Sequence, residues 1–196
     1  MSPRLLAGRA PAKLIDGFVA LLVAARISPM AVTLAGLAGS VVAAVLVARG
    51  ELVAGGIVLL VASALDMFDG ALARATGRAS RLGALVDSTA DRLSEGAVLF
   101  GLLVYETGLG NREEALLVFA VATGSMLVSY LRARAEGEGL TLTAGLFTRP
   151  ERIVVLSAAL ISGWLRVGLW ALAVLTLLTA AQRLFLAVRA LREDGR

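Results

Sequence analysis

Four aspartates occur as two closely spaced pairs in an otherwise apolar part of the sequence. Asp66 and Asp69 are three positions apart, and Asp87 and Asp91 are four positions apart, so each pair shares one face of a helix. The polar stretch 76–81 between the pairs allows the chain to turn back and bring the two faces together. An ionised Asp in hydrocarbon costs at least about 2.5–3.5 kcal/mol, so four of them need compensating positive charge.

Divalent cations would supply this charge, and the composition restricts which ones. The chain contains no Cys and no His, which excludes thiolate, haem and histidine-based zinc sites and leaves carboxylates as the ligands. Carboxylate oxygens favour hard ions such as Mg²⁺ or Mn²⁺. Two such ions about 3.5–4 Å apart stabilise the attacking and leaving oxygens of a phosphoryl displacement. We therefore predict a two-metal site suited to phosphoryl transfer.

Small and cationic residues beside the aspartates support this prediction. Gly70 and Gly83 lack side chains, so a bulky substrate can approach the backbone closely there. Arg74, one turn after Gly70, is placed to meet a phosphate oxygen. In the alternative interpretation, the aspartates form ion pairs with Arg74 and Arg92 or line a cation pathway in a transporter. Four carboxylates at this spacing, with two glycines and an arginine, favour the metal site.

The segment 66–91 also contains a longer pattern with eight fixed positions. It runs Asp, two residues, Asp-Gly, two residues, Ala-Arg, eight residues, Gly, three residues, Asp, three residues, Asp. The residues at these positions are Asp66, Asp69, Gly70, Ala73, Arg74, Gly83, Asp87 and Asp91. This pattern resembles the signature of the CDP-alcohol phosphotransferases. The resemblance implies transfer of a phosphatidyl group from a CDP-linked lipid to a hydroxyl, by a bundle of six transmembrane helices that is usually a homodimer.

The resemblance also implies roles for individual residues. Asp66, Asp69 and Asp87 would hold two divalent cations, Mg²⁺ or Mn²⁺, while Asp91 would touch the second cation and act as the general base. The CDP-lipid site implied by the same comparison consists of Pro29, Thr33, Asp69, Gly70, Ala73, Arg74, Ser80 and Gly83. The family tends to have Asn or Asp after the proline, and Met30 departs from that pattern.

The composition is that of a membrane protein. Hydrophobic residues make up 58% of the 196 residues, against roughly 45–50% in an ordinary soluble domain, and the mean hydropathy is +0.84. The net charge is +4, but most basic residues lie at the ends of apolar stretches, where they face lipid headgroups. We therefore expect membrane lipid, and no nucleic acid, as a partner.

Six apolar stretches are candidates for spanning helices, which need about 20 mostly apolar residues. The predicted spans are 29–48, 52–75, 82–106, 114–135, 149–163 and 167–191. The earlier stretch 14–25 is shorter and has charged residues in and beside it, which predicts an amphipathic helix in the interface; a short first span is the alternative. The predicted protein is an all-α integral membrane protein with a juxtamembrane segment, residues 1–27, and a transmembrane domain, residues 28–196.

The distribution of arginines predicts the orientation of the bundle. If the first span starts on the cytoplasmic side, then Arg74, Arg78 and most other basic residues lie at cytoplasmic helix ends. The opposite side has only Arg49, Arg112 and Arg166. Under the positive-inside rule, this imbalance predicts a multi-pass protein of the cell membrane whose active site faces the cytoplasm.

Arginines in the second half of the chain indicate the kind of acceptor. Arg132, Arg149 and Arg152 fall at helix ends on the same side as the aspartates, and several arginines suit a phosphate-bearing acceptor. These segments are similar to those of the phosphatidylinositol phosphate synthases within the family, whose acceptor is an inositol phosphate. That resemblance implies an acceptor-phosphate site made of Ser129, Arg132, Arg149, Arg152 and Arg192.

Other functions fit parts of the same pattern. A phosphatidylglycerophosphate synthase also uses a phosphorylated acceptor, glycerol phosphate. The arginines taken singly could be membrane anchors. A transporter would be expected to show broken spans in both halves of the chain, which are not evident here, and a structural scaffold would not need the aspartates.

Overall fold

The computed structural model describes residues 9–142 and 145–194, and these form seven α-helices. They are α1 (Arg9–Ala24), α2 (Pro29–Ala48), α3 (Leu52–Ala75), α4 (Arg81–Leu109), α5 (Arg112–Gly137), α6 (Arg149–Ser162) and α7 (Leu165–Asp194). No strand occurs in the described ranges. The all-α prediction is thus confirmed for this part of the chain, and each of the six predicted stretches in residues 28–196 corresponds to one helix.

Local sequence explains where several helices begin and end. Ser28 and Ser80 cap α2 and α4, because their hydroxyl oxygens accept hydrogen bonds from backbone amides three residues later, at 3.2 and 3.0 Å. Thr148 and Glu151 form a capping box at the start of α6. Helix α4 ends at Gly110, whose φ of 76° lies in the left-handed region that glycine adopts without strain.

Four helices have the length and composition to cross a membrane, which supports a multi-pass membrane protein. They are α2, α3, α5 and the Leu165–Glu193 part of α7. Helix α4 is long enough at 29 residues, but it contains several ionisable residues, including Asp87, Asp91 and Glu95. Helix α6 has 14 residues, which span about 21 Å at 1.5 Å per residue.

The two helices that contain the aspartates are positioned mainly through α2. Helix α2 packs along both α3 and α4, while α3 also contacts α6 and α4 contacts α5. Buried residues at these contacts include Ala43, Ala44, Val47, Leu59 and Leu102. Close packing with α4 depends on Gly101, because a side chain there would overlap the backbone of Ala44. The shared partner α2 therefore sets the separation of the two Asp pairs.

Helix α1 packs beside the Asp pair of α3. The rings of Phe18 and Phe68 are 4.6 Å apart, and Val19 and Leu22 are buried in a small cluster with Leu72. This contact fixes the end of α1 that leads into α2. The beginning of the predicted 1–27 segment, residues 1–8, lies outside the described residues.

Candidate active site

The structure brings the four aspartates together between α3 and α4. Asp69 is buried, and its Oδ2 accepts a hydrogen bond from the hydroxyl of Thr33 at 2.6 Å. The carboxyl group of Asp87 lies near those of Asp69 and Asp91. The predicted turn at residues 76–81 thus places the two pairs face to face.

Arg149 at the start of α6 joins one aspartate from each helix. Its Nη2 donates to Asp66 Oδ2 at 3.1 Å, and its Nη1 lies 2.6 Å from Asp91 Oδ1. The alternative partners considered from the sequence, Arg74 and Arg92, form no ion pair with these aspartates in the described residues. Arg92 instead donates to the backbone carbonyl of Ser88. A single guanidinium therefore bridges the two Asp pairs.

The chemistry of the donor set fits hard divalent cations. Asp66, Asp69, Asp87 and Asp91 converge with the hydroxyl of Thr33, and the chain offers no softer imidazole or thiolate ligand. Among residues 9–142 and 145–194, no three acidic side chains are arranged as a group that could hold a metal ion. The bridging guanidinium shows that this cluster accommodates positive charge.

A cavity of about 260 Å³ lies on one side of the aspartates. All eight residues predicted for the CDP-lipid site line it: Pro29, Thr33, Asp69, Gly70, Ala73, Arg74, Ser80 and Gly83. Arg78 also lines this cavity and was not among the predicted residues. It follows Arg74 by four residues, a signal that could have identified a second cation for a pyrophosphate. We call this space the donor cavity.

A second cavity, of about 240 Å³, lies on the other side of the aspartates, at Asp91. Four of the five predicted acceptor residues line it: Ser129, Arg132, Arg149 and Arg152. The fifth, Arg192, is exposed near the end of α7 and is not brought to this cavity. We call this space the arginine cavity.

Arg183, which belongs to α7, lines the arginine cavity. It is buried, and its Nη1 donates to the carbonyl of Val128 at 2.7 Å. Arg183 lies well inside the last apolar stretch of the sequence, where an arginine either extends toward the surface or faces a cavity. An arginine this far inside an apolar helix indicates a polar interior. The structure agrees, because Arg183 lines the arginine cavity.

Arg152 and Glu95 form a buried ion pair at the same cavity. The guanidinium donates from Nε and Nη2 to the two carboxylate oxygens at 2.7 and 2.8 Å, and Ser125 donates to Glu95 Oε1 at 3.0 Å. Both charged side chains are more than nine-tenths buried. Glu95 was not predicted, although it follows Asp91 by one turn on the same helix face. Most of the hydrogen-bonding capacity of Arg152 is therefore already used.

Comparison with known proteins agrees with this geometry. The family model described as CDP-alcohol phosphatidyltransferase matches residues 26–188. The chain is 41% identical over 182 residues to a phosphatidylinositol phosphate synthase of Mycobacteroides abscessus, which covers 88% of this chain and 83% of that protein.

Solved structures of the Mycobacterium tuberculosis phosphatidylinositol phosphate synthase have the same fold. The one with CDP-DAG bound gives a TM-score of 0.82 at 35% identity and covers 89% of this chain and 94% of that chain. The one in complex with manganese and citrate gives 0.81 at 35% identity, with 88% of each chain covered. The family match extends over most of the sequence and includes both Asp pairs, so the chain belongs to the CDP-alcohol phosphatidyltransferase family.

Proposed function

We propose that this protein transfers the phosphatidyl group of CDP-diacylglycerol to a hydroxyl of an inositol phosphate, giving phosphatidylinositol phosphate and CMP. One observation supports this most directly: the Asp cluster lies between the donor cavity and the arginine cavity. A nucleotide-linked lipid and a phosphorylated acceptor can then approach the same carboxylates from opposite sides. The M. abscessus and M. tuberculosis relatives are phosphatidylinositol phosphate synthases, and the latter binds CDP-DAG.

The donor cavity suits a pyrophosphate. Arg74 and Arg78 supply positive charge along one wall, and charge-assisted hydrogen bonds from arginine to phosphate are among the stronger ones. Gly70 and Gly83 leave the adjacent backbone open to a bulky group. Ser80 already caps α4 through its hydroxyl oxygen, so its hydroxyl hydrogen is what it can offer to the donor.

Asp66, Asp69, Asp87 and Asp91 would hold two divalent cations, Mg²⁺ or Mn²⁺. These cations would neutralise the negative charge of the pyrophosphate. Manganese is present in one of the M. tuberculosis structures. The role of Thr33 is to orient Asp69 through the 2.6 Å hydrogen bond. The role of Arg149 is to keep Asp66 and Asp91 near each other.

Asp91 is the proposed general base. It lines the arginine cavity and belongs to the cluster that also faces the donor. The acceptor hydroxyl gives its proton to the Asp91 carboxylate, and its oxygen forms a new bond to the phosphorus attached to the lipid. The bond from that phosphorus to the oxygen of CMP breaks, and CMP leaves with the electron pair. A positioned base of this kind contributes about 10²–10⁴-fold to the rate.

The arginine cavity is the proposed acceptor site. Ser129, Arg132, Arg149 and Arg152 would bind the phosphate of the acceptor, and Arg183 adds charge from α7. Arg192 remains a predicted contributor, although the structure leaves it exposed. A phosphate offers these guanidinium groups an acceptor for charge-assisted hydrogen bonds, which an unphosphorylated polyol does not.

We further propose how the protein sits in the membrane. Helices α2 to α7 form six spans within the transmembrane domain, residues 28–196, and helix α1, the described part of the juxtamembrane segment 1–27, lies in the interface as an amphipathic helix. The arginine-rich ends of the helices lie on the cytoplasmic side of the cell membrane, so the site faces the cytoplasm. The family resemblance supports a homodimer.

Replacement of Thr33 by Val tests the proposed donor site. We expect kcat/KM for the CDP-lipid to fall about 10- to 100-fold, because hydrogen bonds to charged groups contribute about 1.5–3 kcal/mol. Steady-state kinetics with varied donor would measure this. Thr89→Val is the matched control, since the Thr89 hydroxyl donates to the carbonyl of Leu85 within its own helix, α4, and to no other group among the described residues. Equal effects of the two substitutions would contradict the role of Thr33.

The acceptor is tested by a paired assay on the purified protein. With CDP-diacylglycerol and Mg²⁺ or Mn²⁺, we expect radiolabelled inositol phosphate to enter the lipid fraction with one CMP released per transfer. Labelled glycerol phosphate is the comparison, because the arginine cavity would also attract that phosphate. Transfer only to glycerol phosphate would show a phosphatidylglycerophosphate synthase. Solute flux into vesicles without CMP release would show a transporter.

A further inference from the structure

Asp66 lies directly against a glycine of the neighbouring helix. Gly36 on α2 is buried, and a Cβ atom built on it would overlap Asp66 Oδ1 and lie 2.9 Å from Asp66 Cγ. The next nearest atom is the carbonyl oxygen of Ala62, at 3.3 Å. The carboxylate therefore occupies the space that any other residue at position 36 would fill.

The opposite side of the same carboxylate is held by Arg149, whose Nη2 lies 3.1 Å from Asp66 Oδ2. Asp66 is thus confined between the bare backbone of α2 and a guanidinium from α6. Its position depends on two groups that are distant in sequence, at residues 36 and 149. Neither group belongs to the Asp pattern itself.

We infer that Gly36 is a positioning residue for the metal site: the missing side chain leaves the space beside α2 that lets the Asp66 carboxylate lie among the other three. This inference rests on the proposed metal-dependent function, and it concerns the cations and not the acceptor. Alanine at position 36 would push the carboxylate out of its place and weaken the binding of a divalent cation.

The fold should survive this substitution. The atoms that a new methyl group would overlap belong to the end of a side chain, which can rotate, while the nearest backbone atom is 3.3 Å away. An Asp side chain can change rotamer without moving the helix. The expected damage is therefore to the ligand set and not to the packing of α2 against α3.

Gly55 provides a matched control in the same helix pair. A Cβ atom there would lie 2.5 Å from Val47 Cγ2 and 3.2 Å from the carbonyl oxygen of Ala43. It is also tightly packed between α2 and α3, but it precedes Asp66 by about three helical turns, or about 16 Å. Alanine at position 55 should disturb helix packing without displacing the carboxylate.

The test measures Mn²⁺ binding to the detergent-solubilised full chain, without either substrate, by the electron paramagnetic resonance signal of free Mn²⁺. We expect Gly36→Ala to weaken the affinity at least tenfold while the thermal midpoint of the metal-free protein stays within a few degrees of wild type. Gly55→Ala should lower the thermal midpoint and leave the affinity within about twofold. Wild-type affinity in Gly36→Ala would overturn the inference.

The Asp66→Ala variant serves as a second background, which separates displacement of the Asp66 carboxylate from other effects of Gly36→Ala. In Asp66→Ala the space beside Gly36 is open, so adding Gly36→Ala should cause no further loss of Mn²⁺ affinity. If Gly36→Ala alone fails to fold, the double variant should fold again, since the overlapping carboxylate is gone. A further loss of affinity, or a failure to fold, in the double variant would overturn the inference. Absence of inositol phosphate transfer in wild type would overturn the proposed acceptor and leave this comparison unchanged.

Discussion

Asp91→Asn is expected to lower kcat for phosphatidyl transfer by at least about 100-fold, the lower end of what a positioned base contributes. The amide cannot take the proton of the acceptor hydroxyl, and it is a poorer ligand for a divalent cation. Its oxygen can still accept the hydrogen bond that Arg149 now gives to Asp91, so the local structure should remain. CMP release under saturating substrates would measure the loss.

Donor binding should largely survive in the same variant, because the residues that line the donor cavity are unchanged. The thermal shift produced by the CDP-lipid would report this binding. Glu113→Gln is the control for loss of a carboxylate: Glu113 bonds Arg166 and the indole nitrogen of Trp170 at the opposite end of the bundle. Full activity of Asp91→Asn would contradict the proposed base, and loss of activity in the control would point to a general effect of charge.

Arg152→Ala is expected to reduce the free energy of unfolding by about 3–5 kcal/mol, because it leaves Glu95 as an unpaired buried charge. The bidentate pair and the bond from Ser125 currently satisfy that carboxylate. Unfolding in detergent at fixed lipid content would measure the change. An effect below about 1 kcal/mol would contradict the structural role of the pair.

Replacing both partners separates packing from recognition of the acceptor. Arg152→Met combined with Glu95→Leu removes both charges, and such replacements are often neutral or stabilising. If Arg152 also binds the acceptor phosphate, this double variant should fold normally and show a raised KM for inositol phosphate with an unchanged KM for the CDP-lipid. If the KM values for inositol phosphate and for the CDP-lipid both stayed at wild type, Arg152 would have a structural role alone.

The helices and the family were predictable because their signals are local. Each of the six predicted stretches is a helix with bounds within a few residues of the prediction, because long apolar runs separated by polar breaks mark the helices in the sequence itself. The Asp motif lies within 26 consecutive positions, and helical geometry places i, i+3 and i, i+4 residues on one face. Most of the donor cavity could be predicted from the same segment, and α2 adds Pro29, Met30 and Thr33 to its lining.

Interactions between side chains of different helices could not be predicted from such local signals. The interaction of Arg152 with Glu95 joins residues 57 positions apart, and that of Arg149 with Asp66 joins residues 83 positions apart. No sequence spacing encodes such distances, because they depend on how the helices pack. For the same reason the sequence did not show that Arg183 lines the arginine cavity or that Arg192 is exposed.

The amino-acid sequence by itself determined the membrane character of this protein, the order and approximate bounds of its helices, and the acidic motif that indicates its chemistry. These properties depend on composition and on periodicity within single helices. Only the tertiary structure decided that α2 sets the separation of the Asp pairs, that two cavities flank them, and that Gly36 makes room for Asp66. Those features depend on which helix faces which, and that is fixed by side-chain packing over the whole bundle.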